Sequence, residues 1–363
     1  MKKLIAVLAA FAFAASFSPC AYALSVSAKS AVLIEAQSKD IIYAKDENNR
    51  RGMASTTKIM TALVALENMA LDTVITVVPQ AQGVEGSSVY LRAGERITLE
   101  SLLYALMLQS ANDAAVAIAF AVGGSIEGFA DMMNERASKM GLTDTHFENP
   151  HGLDGEEHYT TAYELALIAA EALENEAFAK IVSTKTAKIS TDTQGSERYL
   201  VNHNRLLRVY DDIIGVKTGF TKKCGRTLVS AAICDGVKLI CVTLDDGNDW
   251  KDHRCLLDHG AKLYESVSLA TEGEFSFDIP VVGGERSIVK AFNKETISAS
   301  LPKERKEIST KTELERFIYA GMPAGSRVGR VRFFLCDREI GEAALYTAEE
   351  IPKKIARRGI FGK

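Results

Sequence analysis

The pattern of apolar and polar positions changes character several times along the chain. Behind a basic start at Lys2 and Lys3, Leu4 to Phe17 form an apolar run, followed by the small-x-small step Ala21-Tyr22-Ala23. This reads as a secretory leader over residues 1–23, with the mature chain starting near Leu24. The run is short for a retained membrane span. Ala31 to Glu35 and Ile41 to Lys45 flank Gln37-Ser38-Lys39-Asp40, which predicts a hairpin. A helical period then sets in at Ile59, Met60, Leu63 and Val64, and a hydroxyl just ahead of it predicts a capped helix starting near Ser55. Leu102 to Val122 is apolar on nearly every face, so a buried helix, or a helix pair broken near Gln109 to Asp113, is expected. Further helices are expected over Ile126 to Met140 and Ala162 to Ala179.

The period then shortens to that of strands. Ile213 to Thr218 is one, and Thr227 to Ile233 and Val237 to Leu244 are joined by Asp235-Gly236, a two-residue hairpin signal. A helix is expected from about Trp250 to Val267. Past Ala270, short alternating runs (Phe275 to Ile279, Ser287 to Phe292, Ile297 to Leu301, Val328 to Leu335, Glu342 to Tyr346) are separated by turn residues. The expected class is α+β: an antiparallel sheet flanked by helices over residues 24–268, a small C-terminal all-β sandwich over 269–348, and a basic tail over 349–363.

Charge and cysteines narrow the partners. Removing Lys2 and Lys3 takes the formal charge from −4 to −6, which argues against nucleic-acid binding. Cys224, Cys234, Cys241, Cys255 and Cys336 would remain after export, without C-x-x-C or metal-ligand spacing. An odd number leaves at least one thiol free, and buried cysteines acting as small apolar residues are expected, with a Cys234–Cys241 disulfide the alternative. The histidines show no H-E-x-x-H and no helical ligand spacing.

Three short strings carry chemistry: Ser55-Thr56-Thr57-Lys58, Ser110-Ala111-Asn112 and Lys217-Thr218-Gly219. Residues three apart on a helix share a face, so Lys58 can take the proton of Ser55 if burial or the second cation Lys217 lowers its pKa. Ser110 can relay a proton and the Asn112 amide can hold a substrate peptide group. Lys217 and Thr218 offer a cation and a hydroxyl to a carboxylate, and Gly219 lets an extended peptide approach a sheet edge. Each string alone also reads as a cap, a helix break or a strand end. Indeed S-x-x-K recurs at Ser287 to Lys290 and Ser300 to Lys303. The order of all three gives them weight.

Together with Thr145 to Asp154, Asn202 to Leu207 and Gly215 to Thr221, these strings resemble the low-molecular-mass penicillin-binding proteins, the serine D-alanyl-D-alanine carboxypeptidases. The resemblance spans nearly the whole chain. It implies a β-lactamase/transpeptidase-like fold and an exported, extracytoplasmic enzyme that removes the terminal D-alanine from peptidoglycan stem peptides. It assigns Ser55 as nucleophile, Lys58 as general base and Ser110 as relay, with Asn112, Lys217, Thr218 and Gly219 binding substrate. The backbone N–H groups of Ser55 and Phe220 would form an oxyanion hole. β-Lactams would acylate Ser55, and no metal or organic cofactor is implied. Phe220 stands where some relatives carry histidine. Arg254 is the nearest candidate for an arginine that some relatives place after the hairpin. Family members often end in an amphipathic membrane anchor, and the basic tail, Ile351 to Lys363, suggests weak contact with anionic lipid or a solvated end. The alternatives are a β-lactamase, or a non-catalytic β-lactam or peptidoglycan sensor.

Overall fold

A computed structural model describes residues 24–190 and 197–354. Residues 1–23, where a leader is expected, and the tail beyond Lys354 lie outside the described residues. The centre of the first unit is a five-stranded antiparallel sheet built from β1 (Ser30–Glu35), β2 (Ile41–Lys45), β3 (Ile213–Thr221), β4 (Gly225–Cys234) and β5 (Val237–Leu244), in the spatial order β2-β1-β5-β4-β3. The first and last parts of this unit therefore pair side by side, and β3 is left at an edge. Alternation explains why β1 is apolar throughout. Val32 and Ile34 enter the core shared with the helices on one face, while Ala31 and Leu33 enter a second core on the other.

The helices of the first face are α1 (Lys58–Asn68), α2 (Leu99–Leu108), α3 (Asn112–Gly123), α4 (Ile126–Lys139), α5 (Ala162–Leu173) and α6 (Glu176–Ser183). The break expected within 102–122 falls between α2 and α3. The single helix expected over 162–179 is two, because the Asn175 side chain accepts from the N–H groups of Ala177 and Phe178 and starts a new helix. The opposite face is covered by α7 (Asp249–Leu263), which is shorter than expected: from Tyr264 the chain is already a strand.

Seven strands make up most of the C-terminal unit: β6 (Tyr264–Ala270), β7 (Ser276–Val282), β8 (Ile288–Asn293), β9 (Ile297–Pro302), β10 (Ile308–Leu314), β11 (Arg327–Leu335) and β12 (Arg338–Thr347). β6 and β9 form a two-stranded sheet, and the others join Ile318–Tyr319 in a six-stranded one. Leu269 and Leu301 from the first pack with Ile279, Val331 and Phe333 from the second, which makes the expected all-β sandwich. The β10 strand and the hairpin Thr186–Ser190/Glu197–Val201 had no clear sequence signal, because their residues are mostly exposed and polar. An ion pair between Arg338 and Asp40 ties the sandwich to the β1–β2 hairpin. All five cysteines in the described residues are free thiols. The Cys234–Cys241 disulfide is not formed: Cys234 pairs with Val237 at the hairpin end, while Cys241 lies further along β5 opposite Ser230. Only Cys241 is buried; Cys255 and Cys336 are exposed.

Candidate active site

Ser55 does not cap a helix. It lies within a single 3-10 turn, Ala54–Thr57, that runs directly into α1, and neither start has a side-chain cap. The neighbouring hydroxyls are used within the turn: Thr56 donates to the Met53 carbonyl at 2.5 Å and Thr57 to that of Ala54 at 2.8 Å. The Ser55 hydroxyl is left to face Lys58, whose Nζ lies 3.0 Å from its Oγ. Entry to the turn requires a left-handed Ala54 (φ 47°), a conformation that costs an L-residue of order 1–3 kcal/mol and that functional sites often hold.

Lys58 is wholly buried. Besides Ser55, its Nζ donates to the Asn112 side-chain oxygen at 2.7 Å and to the His151 carbonyl at 2.5 Å. Burial pushes its pKa well below the ordinary lysine value, and the charge of Lys217 pushes it further the same way, against a smaller opposing effect from Asp113. With its amine neutral, Lys58 has partners that fit a base. Two partners are carbonyl-type oxygens that can only accept, so they take its two N–H groups. Its lone pair is then left for the one partner that can donate, the Ser55 hydroxyl.

The His151 carbonyl was invisible as a partner in the sequence, though it lies in the Thr145-to-Asp154 segment. Asn149 accepts from the Gly152 N–H at 2.7 Å and its amide donates to the Leu153 carbonyl at 3.0 Å, while Thr61 donates to the Pro150 carbonyl at 2.6 Å. The loop is thereby fastened to α1. Gly152 is left-handed (φ 87°), and a Cβ there would lie 1.9 Å from the Ala54 carbonyl oxygen. His151 and His158 are held neutral, chiefly by burial, at about 3 and about 4.

The second string sits where α2 stops. Ser110 is buried and left-handed (φ 58°), a position often given to glycine at a helix end. Its hydroxyl is not among the partners of Lys58. Asn112 opens α3: its oxygen accepts from Lys58 and its amide nitrogen donates one N–H to the Glu85 carbonyl at 2.6 Å. Asn112 therefore helps to orient the amine, and the second N–H of its amide remains for a substrate carbonyl. Asp113, also missed, is buried and anchors the loop beside it.

The third string lies on the edge strand β3. Lys217 is buried, its Nζ donates to the Thr218 carbonyl at 2.8 Å, and burial lowers its pKa to about 7. Gly219 is also required within the fold: a Cβ there would lie 2.3 Å from Thr227 Oγ1 and 2.9 Å from the Ser55 nitrogen. Phe220, exposed, alternates to the opposite face of β3, so only its backbone is offered on the side of Ser55. Asn204, another residue without an assigned role in the sequence, donates to the Gly215 carbonyl at 3.0 Å and steadies the start of this strand. Arg254 does not join the cluster. It pairs with Asp212 and Asp258 and lies over the Tyr210 ring, on the α7 side of the sheet.

A helical layer and an edge strand bring a serine, two buried lysines and an asparagine together, a set of side chains suited to acyl transfer with lysine in the place of histidine. Comparison with known proteins makes this specific. Residues 16–248 match the family D-alanyl-D-alanine carboxypeptidase (Peptidase_S11), and residues 264–353 match the penicillin-binding protein 5 C-terminal domain. The chain is 31% identical over 352 residues to D-alanyl-D-alanine carboxypeptidase DacF of Bacillus subtilis (strain 168), covering 90% of each chain. It is 38% identical over 216 residues to a D-alanyl-D-alanine carboxypeptidase of Streptomyces sp. (strain K15), covering 55% of this chain and 74% of that one. Among solved structures, the D-alanyl-D-alanine carboxypeptidase DacD of Francisella tularensis superposes with a TM-score of 0.63 at 27% identity, covering 91% of this chain and 95% of that one. The chain belongs to the Peptidase_S11 family of low-molecular-mass penicillin-binding proteins and is a serine D-Ala-D-Ala carboxypeptidase. Peptidoglycan peptides as substrates and the binding of β-lactams follow from that membership.

Proposed function

We propose that Ser55 is the nucleophile and Lys58 its base, and that the chain trims stem pentapeptides outside the cytoplasm. The observation that carries this reading is the partner set of Lys58: two obligate acceptors and one hydroxyl around a buried amine. Ser55 Oγ attacks the carbonyl of the penultimate D-alanine as its proton passes to Lys58 Nζ. The backbone N–H groups of Ser55 and Phe220 receive the developing oxyanion. The C–N bond then breaks, the proton moves to the departing amine by way of Ser110, and D-alanine leaves. Water hydrolyses the ester and restores the Ser55 hydroxyl. Lys217 and Thr218 hold the terminal carboxylate, the peptide lies along the free edge of β3, and Asn112 keeps Lys58 aimed. A β-lactam follows the same first step and leaves Ser55 acylated.

The organisation that fits this use has an export leader over 1–23, a catalytic unit over 24–263, a sandwich that begins with β6 at Tyr264 rather than at the expected residue 269, and a basic tail over 349–363 that can meet anionic lipid. Two measurements test the reading. Purified protein should release D-alanine from a D-Ala-D-Ala pentapeptide, and a labelled penicillin should leave a long-lived adduct on the peptide containing Ser55. Rapid turnover of the penicillin would instead support a β-lactamase, and adduct formation without D-alanine release a sensor.

The buried lysines also predict a pH signature. Lys217 is neutral in the folded chain above about 7 but stays protonated in the unfolded chain to its ordinary value of 10.5. Between those limits the unfolded state binds more protons, so stability rises with pH, by at most about 1.4 kcal/mol per pH unit from this group. Wild type should therefore gain stability relative to Lys217→Met as pH is raised from 7 to 10 in urea titrations. A constant difference would mean that Lys217 keeps its proton when buried.

A further inference from the structure

His158 has no part in the reaction above, yet its ring lies in the middle of a hydrogen-bonded chain that ends at the nucleophile turn. The Glu148 N–H donates to its Nδ1 at 3.0 Å. Nδ1 therefore carries no proton, and the ring, held neutral by burial, has its one N–H at Nε2. Nε2 lies 2.8 Å from Thr57 Oγ1, whose own proton goes to the Ala54 carbonyl at 2.8 Å. Every donor points the same way, from Glu148 towards Ala54, and bonds arranged in this manner reinforce one another.

Both ends of the chain are fixed. At its start, Phe147 exchanges two hydrogen bonds with the Asn134 side chain, at 2.8 and 2.9 Å, which fastens the loop to α4. The His158 ring is buried, edge-on to Phe147 with centroids 5.9 Å apart. At its end stands Ala54, whose left-handed backbone persists only where its surroundings over-determine it. Gly152 leaves room for this end, since a Cβ there would lie 1.9 Å from the Ala54 carbonyl oxygen and 2.8 Å from Thr57 Oγ1. The Ala54 carbonyl shares one planar unit with the Ser55 N–H. In a trans peptide the two point in opposite directions, so a donor that holds the carbonyl also aims the N–H. That N–H is one of the two that receive the oxyanion.

We propose that His158 is a positioning residue of the oxyanion hole: by way of Thr57 it sets the plane of the Ala54–Ser55 peptide, and so the direction of the Ser55 N–H. The proposal rests on Ser55 being the nucleophile. Its test uses two amides that divide the ring's bonds between them. The glutamine nitrogen can stand in for Nε2, and the asparagine oxygen for Nδ1. Each variant loses one bond, so both should lower the melting temperature, but only His158→Asn loses the donor to Thr57. With a labelled penicillin, His158→Asn should slow the acylation step about tenfold at a nearly unchanged dissociation constant for the complex that precedes it. His158→Gln should keep the rate within about threefold of wild type. In a Thr57→Val background His158→Asn should cost nothing further. Thr57→Val should itself be slow and Thr57→Ser fast, a pair that decides the matter if neither His158 variant folds. Equal slowing by His158→Asn and His158→Gln, or a His158→Asn loss that persists in full beside Thr57→Val, would overturn the proposal. Wild type that takes no penicillin label would instead overturn the assignment of Ser55.

Discussion

Ser55→Ala and Lys58→Met should each lower D-alanine release by at least about a thousandfold, with the folded state retained. The two losses differ in kind. Ser55→Ala removes the atom that bonds to substrate, so a labelled penicillin should leave no adduct however long the incubation. Lys58→Met leaves that atom in place and removes only its base, so labelling should still occur at Ser55, slowly, and rise with pH as hydroxide substitutes for the amine. Stability separates this from a folding defect. Methionine fills the wholly buried space of Lys58 and removes an amine that is costly to desolvate, but it leaves Asn112 Oδ1 and the His151 carbonyl without their donor. Each such loss costs about 1–3 kcal/mol, so a modest decrease in melting temperature is expected together with an intact near-ultraviolet spectrum. Normal acylation by Lys58→Met would remove Lys58 as the base and transfer that role to Lys217.

What the sequence made legible follows from the range of each interaction. The β1–β2 hairpin, the α2–α3 break and the Asp235-Gly236 turn are set by neighbours a few residues apart, and the structure has them where alternation and turn chemistry put them. The three strings were recognisable because chemistry fixes their residue types. Contacts made by backbone atoms across long separations were hidden. The His151 carbonyl on Lys58 has no side-chain signature, and the need for Gly219 depends on a turn more than 160 residues earlier in the chain. Asn112 shows the same limit in another form. Its type is suited to holding a peptide group, and only the fold reveals that its oxygen also accepts from Lys58 and that one of its N–H groups goes to the Glu85 carbonyl.

Gly219→Ala should lower the rate of penicillin acylation by about a hundredfold or more, although it adds one methyl group to an edge strand and removes no functional atom. The added carbon would meet Thr227 Oγ1 at 2.3 Å and the Ser55 nitrogen at 2.9 Å. The first neighbour is a side-chain atom, but it donates to the Met53 carbonyl at 3.0 Å and helps to hold the turn. The second is backbone of the nucleophile itself, so relief must come from moving β3 away from the turn. That movement would separate Lys217 and the Phe220 N–H from Ser55, and catalytic geometry tolerates a displacement of about 1 Å poorly. The double variant with Thr227→Ala distinguishes strain from misplacement. Deleting the hydroxyl removes the closer clash and should recover part of the lost melting temperature. The Ser55 nitrogen stays where it was, so acylation should remain slow. Full recovery of acylation in the double variant would show that the contact with Thr227, rather than the distance between β3 and Ser55, had limited the rate.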